Sequence, residues 1–138
     1  MKLQHVPLEH INVVWPQVEG FIAKSIASQN GAPDYTLDQV KTLVAMGNWM
    51  LAVISDDANN IKGAGVINFF NRPNDRVAFI LHVGGRMIAN TNIHTQLCAL
   101  CKSFGATKIE CATNEGASRL WRKLGFKEKY RIAEVSIL

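Results

Sequence analysis

The sequence predicts one α+β domain: a central, mixed, mostly antiparallel sheet with helices on both faces. Three observations carry this. Residues 11–26 and 36–44 have helical apolar spacing, residues 49–83 read as three strands separated by polar turns, and residues 93–138 alternate between helical and extended patterning. A chain of 138 residues can bury a continuous core, and 48% hydrophobic against 19% charged residues is ordinary for a globular domain.

The elements follow in order. A short strand, Lys2 to Val6, is stopped by Pro7. Ile11, Val14, Trp15, Val18, Ile22 and Ile26 then repeat at helical spacing. Pro16 lacks an N–H, which predicts a main helix that begins near it, with Pro16 in the first turn. Residues 30–34 (Asn-Gly-Ala-Pro-Asp) are a loop. Thr36 caps a second helix with Leu37, Val40, Leu43 and Val44 on its apolar face, ended by Gly47. Trp49 to Ile54, Ile61 to Phe70 and Arg76 to Val83 form an antiparallel meander.

From there the period changes. Ile93, Leu97, Leu100, Cys101 and Phe104 describe a helix from about Asn90, stopped by Gly105. Thr107 to Ala112 is a strand, expected parallel to the strand ending at Val83, because a helix joins them. Ala117, Leu120, Trp121 and Leu124 lie on one helical face, and Arg131 to Leu138 is the last strand. The expected order is β-α-α-β-β-β-α-β-α-β.

Composition narrows the function classes. No apolar run approaches the ~20 residues of a membrane span, and the first five residues lack a signal peptide's apolar core, so a soluble, cytoplasmic protein is expected. Cys98, Cys101 and Cys111 read as reduced, buried thiols. No second CxxC or HxxxH stands at zinc spacing, so no metal is expected. The net charge is +4. From Lys102 onward eight basic residues face four acidic ones, so the whole excess sits in the last third. Without interleaved aromatics this patch reads as a solvated face rather than a nucleic-acid surface.

Residues 114–126 (Asn-Glu-Gly-Ala-Ser-Arg-Leu-Trp-Arg-Lys-Leu-Gly-Phe), together with the element order, resemble the Asn-x-x-Ala…Tyr-x-x-x-Gly-Phe segment of the GNAT superfamily of N-acetyltransferases. A narrower resemblance is to small phage-encoded GNAT-like proteins, through Trp15-Pro16, Gly84-Gly85-Arg86 and a late Trp. The resemblance implies acetyl-CoA as cosubstrate, its pantetheine arm in a gap where the central strand splays from its neighbour. It implies a pyrophosphate at the next loop and helix N-terminus, where unpaired N–H groups hold an anion.

The cofactor-binding residues so implied are Val83, Gly84, Arg86, Met87, Ile88, Ala89, Asn90 and Thr91, with Asn114, Ala117 and Trp121 from the later segment. Arg86 fits the family loop, whereas Ala89 and Thr91 stand where smaller residues are usual. Backbone N–H groups near His82 to Gly84 would polarise the thioester carbonyl. Trp121 replaces the family's general-acid Tyr, and an indole N–H supplies no acidic proton. His82 is the candidate base and Tyr130 an alternative acid. Cys111 reads as a small hydrophobe.

Two functions stay open at this point. One is acetyl-CoA-dependent transfer to an unknown small-molecule or peptide amine. The other is a non-catalytic GNAT-like fold that serves as a phage virion-associated or assembly protein, with a homodimer or phage structural partners.

Overall fold

The computed structural model describes residues 1–28, 33–85, 90–113 and 115–138. In chain order the elements are β1 (Lys2–His5), α1 (Ile11–Ala27), α2 (Leu37–Ala45), β2 (Met50–Ser55), β3 (Ile61–Asn71), β4 (Arg76–Gly85), α3 (Thr91–Ser103), β5 (Lys108–Cys111) and α4 (Glu115–Lys123). The strands form one five-stranded sheet in sequence order. The first four are antiparallel, and β5 runs parallel to β4, joined to it through α3 as the change of period predicts.

The pleat of β2 assigns the two faces. Leu51 and Val53 pack into a cluster with Trp15, Val18 and Ile22 of α1 and Val40 and Val44 of α2. Met50, Ala52 and Ile54 point the other way, toward Ile93, Leu97 and Cys101 of α3 and Trp121 of α4. The apolar stripes read from the sequence for α1 and α2 are therefore core. Thr36 caps α2 as expected, its hydroxyl accepting from the Gln39 N–H at 3.2 Å while Gln39 Oε1 accepts from the Thr36 N–H at 2.9 Å.

Four expectations need correction. First, α1 begins at Ile11, led in by a 3-10 turn at Leu8–His10, so Pro16 lies at its sixth position rather than in its first turn. Pro16 and Asn12 are both exposed, so water can take the Asn12 carbonyl that the missing N–H leaves. Second, Arg131 to Leu138 is not a strand: these residues are irregular and exposed throughout. Their pattern suits a strand, but a strand exists only where a neighbour accepts its hydrogen bonds, and here the chain does not lie on β5. Third, Cys98 is exposed, although Cys101 is buried and Cys111 half-buried as read. Fourth, Leu120 is exposed, because Ala117, Trp121 and Leu124 take the inward face of α4.

Candidate functional site

The sheet changes character at one point on β4. Its pairing with β5 ends at Ile80↔Cys111, yet β4 continues to Gly85, so Leu81 to Gly85 run on without β5 beside them. At the same point the register with β3 slips. Val66 pairs with His82 but Ile67 pairs with Ile80, which makes Leu81 the extra residue of a β-bulge. The bulge turns two successive side chains to the α1 face. Leu81 joins the α1 cluster, and His82 packs against Ser25 of α1 and Tyr35. Val83 then points to the α3 and α4 face.

His82 is the candidate base, and it is 2% exposed. Its Nδ1 lies 3.5 Å from Ser25 Oγ, and its ring meets Tyr35 edge-on at 6.3 Å. Tyr35 in turn stands edge-on to Trp49 at 4.8 Å. Among the described residues, His82 Nε2 has no hydrogen-bond partner. Burial lowers the His82 pKa below its ordinary 6.5, with the Asp34 carboxylate pulling weakly the other way. The ring is therefore neutral at pH 7. When Nδ1–H donates to Ser25 Oγ, Nε2 keeps a free lone pair.

Ser25 also ties down the bulge, since its Oγ accepts from the Val83 N–H at 3.3 Å. One of the backbone donors expected to face a thioester carbonyl is thus already engaged. Gly84 and Gly85 have structural reasons of their own. A Cβ on Gly84 would stand 2.7 Å from the Phe21 carbonyl oxygen, where α1 crosses the strand. Gly85 has φ +80° and runs against the backbone of Lys62 and Gly63.

On the opposite face Trp121 is 7% exposed, buried as its helical spacing predicts. It packs 4.8 Å from Phe126 and closes an apolar cavity of about 20 Å³ with Ile67, Ile80, Val83, Leu97 and Leu124. This volume holds about one water. Ala117 belongs to the same cluster.

The helix end expected to hold pyrophosphate is partly engaged by the protein itself. Asn90 caps α3, its Oδ1 accepting from the Asn92 N–H at 2.8 Å and the Ile93 N–H at 3.3 Å. Thr91 is exposed, and its carbonyl accepts from the Thr95 hydroxyl. Arg86, Met87, Ile88, Ala89 and Asn114 lie outside the described residues.

Tyr130 is 60% exposed. It sits beside Lys129, whose ammonium is 5.2 Å from its ring, and in the field of Arg72 at the β3–β4 turn. The structure does not bring it to His82. What it does gather there, and the sequence reading missed, is a charge cluster. Arg72 grips Glu110 with both terminal guanidinium nitrogens, Nη2 at 2.9 Å, and Lys129 reaches Glu110 at 3.2 Å. Arg72 first, then Lys129, holds the Glu110 carboxyl below its usual range. No fixed spacing joins residues 72, 110 and 129, so pattern reading had no signal for it. Among the described residues no group of three metal-ligating side chains occurs.

Solved structures that share this fold include acetyltransferases. One is a probable acetyltransferase, 13% identical, with TM-score 0.70 over 100% of this chain and 97% of its own. The fold is that of the GNAT-type acetyltransferases. A second structure with the GNAT fold is the aminoglycoside acetyltransferase meta-AAC0020 from an uncultured soil metagenomic sample, in complex with sisomicin: 10% identical, TM-score 0.70, over 99% of this chain and 95% of that one. A third is a predicted acetyltransferase from Clostridium acetobutylicum with acetyl-CoA: 13% identical, TM-score 0.66, over 99% and 96%. No protein-family model and no curated protein matches the sequence. No described helix is long and apolar enough to cross a membrane.

Proposed function

We propose that this protein is an acetyl-CoA-dependent N-acetyltransferase whose reaction centre is the bulged, unpaired end of β4. The carrying observation is the coincidence of two features at one residue: β5 leaves β4 after Ile80, and β4 bulges at Leu81. A strand end freed of its neighbour offers backbone groups to an extended, amide-bearing chain such as pantetheine. The gap opens beside Val83, with Trp121 and Ala117 on the α4 side and Asn90 and Thr91 at the start of α3.

In this reading the neutral amine attacks the thioester carbonyl directly. The C–N bond forms, the C–S bond breaks, and the amine's surplus proton passes to His82 Nε2, directly or through one water. The thiolate leaves and takes its proton from solvent, since Trp121 has none to give and Tyr130 stands elsewhere. Orientation of the two substrates supplies much of the rate, so the lack of a positioned acid slows the reaction without stopping it. The lowered pKa of His82 suits a base that must be neutral at pH 7.

A second reading, a GNAT fold used for binding or phage assembly, is favoured by three observations. Asn90 occupies two helix N–H groups, Trp121 leaves a cavity of only about 20 Å³, and His82 is buried. Calorimetric titration with acetyl-CoA separates the two. The enzyme reading expects saturable binding, a thermal upshift worth about 2.7 kcal/mol at 100 times the dissociation constant, and amine-dependent thiol release that His82→Gln depresses. A flat titration of the folded protein overturns the enzyme reading.

A further inference from the structure

The basic excess of the last third and the aromatic side chains of β3 are far apart in the sequence, and the fold brings them together. The Arg72 guanidinium lies 5.0 Å from the centre of the Phe70 ring and that of Arg76 5.5 Å from Phe69. The Lys129 ammonium lies 5.2 Å from the Tyr130 ring. Phe104, at the end of α3, stacks on Phe69 at 5.6 Å, and Phe70 meets Phe79 at 6.5 Å. Phe104 and Tyr130 are exposed, whereas Phe69, Phe70 and Phe79 are half-buried.

Hydrogen bonds and ion pairs tie these groups into one surface around the β3–β4 turn. Arg76 Nε donates to the Phe104 carbonyl at 3.0 Å, and its Nη1 donates to Asn71 Oδ1 at 3.1 Å. The Thr107 hydroxyl donates to Asp75 Oδ1 at 3.0 Å, and Lys108 reaches the same carboxylate at 3.2 Å. Glu110 holds Arg72 and Lys129 beside them. The surface lies at the Arg76 end of β4, roughly 17 Å along the strand from the bulge at Leu81. It is therefore separate from the reaction centre.

The internal pairs do not cancel the charge. Lys102, in the last turn of α3, is exposed and enters no ion pair among the described residues. Both Arg76 contacts are to neutral oxygens, so its charge also stays uncompensated. Five cations (Arg72, Arg76, Lys102, Lys108, Lys129) thus face two carboxylates (Asp75, Glu110), which leaves a net charge of +3. Arg131 and Glu128 pair with each other and add nothing. We propose that this end of the sheet binds single-stranded nucleic acid, with bases stacked on Phe104 and Tyr130 and phosphates held by Lys102, Arg76 and Lys129.

The chemistry favours this occupant. A single strand needs cations along its backbone and ring faces between them, and here each of three cations lies against a ring. Unpaired bases can also stack on guanidinium planes such as that of Arg76. A paired duplex hides its base faces and leaves the two exposed rings without a role. An anionic membrane would draw the same cations, but it needs a continuous apolar face to enter the bilayer. Of the five aromatic side chains gathered here only Phe104 and Tyr130 are exposed.

The test is fluorescence anisotropy of a labelled oligothymidylate titrated with the full chain. Saturable binding is expected, with log K falling against log salt at a slope of about −2, the counterion release of about three phosphates on a single strand. Tyr130→Ala should weaken binding by about fivefold to a hundredfold, through one lost base stack. Lys102→Gln should make the slope shallower by about 0.7. Lys41→Gln, an equal loss of charge on α2, should leave affinity and slope unchanged. All three side chains are exposed, so each variant should keep the thermal melt of the domain. Absence of binding at low salt overturns the proposal, as does full binding by Tyr130→Ala. A loss in Lys41→Gln as large as in Lys102→Gln overturns it by making the attraction diffuse. Tighter binding to duplex DNA, or to phosphatidylserine vesicles, overturns it by assigning the surface to another partner.

Discussion

The sheet carries a 17-residue helix with a 9-residue companion on one face, and a 13-residue and a 9-residue helix on the other. On the α1 face Val18, Ile22, Val40, Val44, Ala64 and Val66 have no exposed surface at all, and an open pocket is lined by Asp34, Tyr35, Gln39, Thr42 and Leu43. There the strand and helix backbones come so close that Gly84 admits no side chain. The α3 and α4 face is looser. Its core is split into two clusters, Leu120 and Phe104 are exposed, and a cavity remains beside Trp121. The bulge at Leu81 joins the two regimes, placing His82 in the tight layer and Val83 in the loose one. The tight layer holds the strand end in shape, whereas the loose layer leaves a small cavity beside it.

The largest test of this contrast is a pair of tryptophans. Trp15→Ala, in the tight layer, should cost about 4–5 kcal/mol, and Trp121→Ala, already beside a cavity, nearer 3 kcal/mol, measured by denaturant unfolding. Equal losses would remove the distinction between the faces. Next comes Gly84→Ala. Its Cβ would meet a backbone oxygen rather than a movable side chain, so a loss of about 1–3 kcal/mol is expected. A neutral result would mean that α1 can back away from β4.

A third test addresses the loose layer. Asn90→Ala should cost about 1 kcal/mol by removing the cap of α3. Under the enzyme reading it should also leave acetyl-CoA binding intact or tighter, because two N–H groups are released to the phosphate. Weaker binding would assign the Asn90 side chain itself to the ligand.

The smallest effect is a slope. The folded His82 has its pKa lowered by burial, so between that value and about 6.5 the unfolded chain binds more protons than the folded one. Stability contributed by the neutral ring is present above pH 6.5 and drains away as the pH falls through the folded value. Unfolding curves of the wild type and of His82→Gln should therefore converge as the pH drops from 7 toward 5. Parallel curves would show that His82 titrates normally and is open to water.

Local patterning along the chain accounts for the elements up to α4, the parallel return of β5 and the burial of Trp121. These follow from local periodicity, which survives in any fold that buries one face of each element. It also pointed to Gly84, Gly85 and His82, but not to their reasons. The glycines answer to backbones far away in the chain, at Phe21 and at Lys62, and His82 to Ser25 and Tyr35. Long-range packing sets where β4 bulges, at Leu81, where β5 stops, four residues along, and where Arg72, Glu110 and Lys129 meet. It decided as well that residues 131–138, with every local mark of a strand, are not one. Periodicity says what a segment can pair with, while pairing itself requires an edge within reach and in register, and in the single chain the tail lies off the edge of β5.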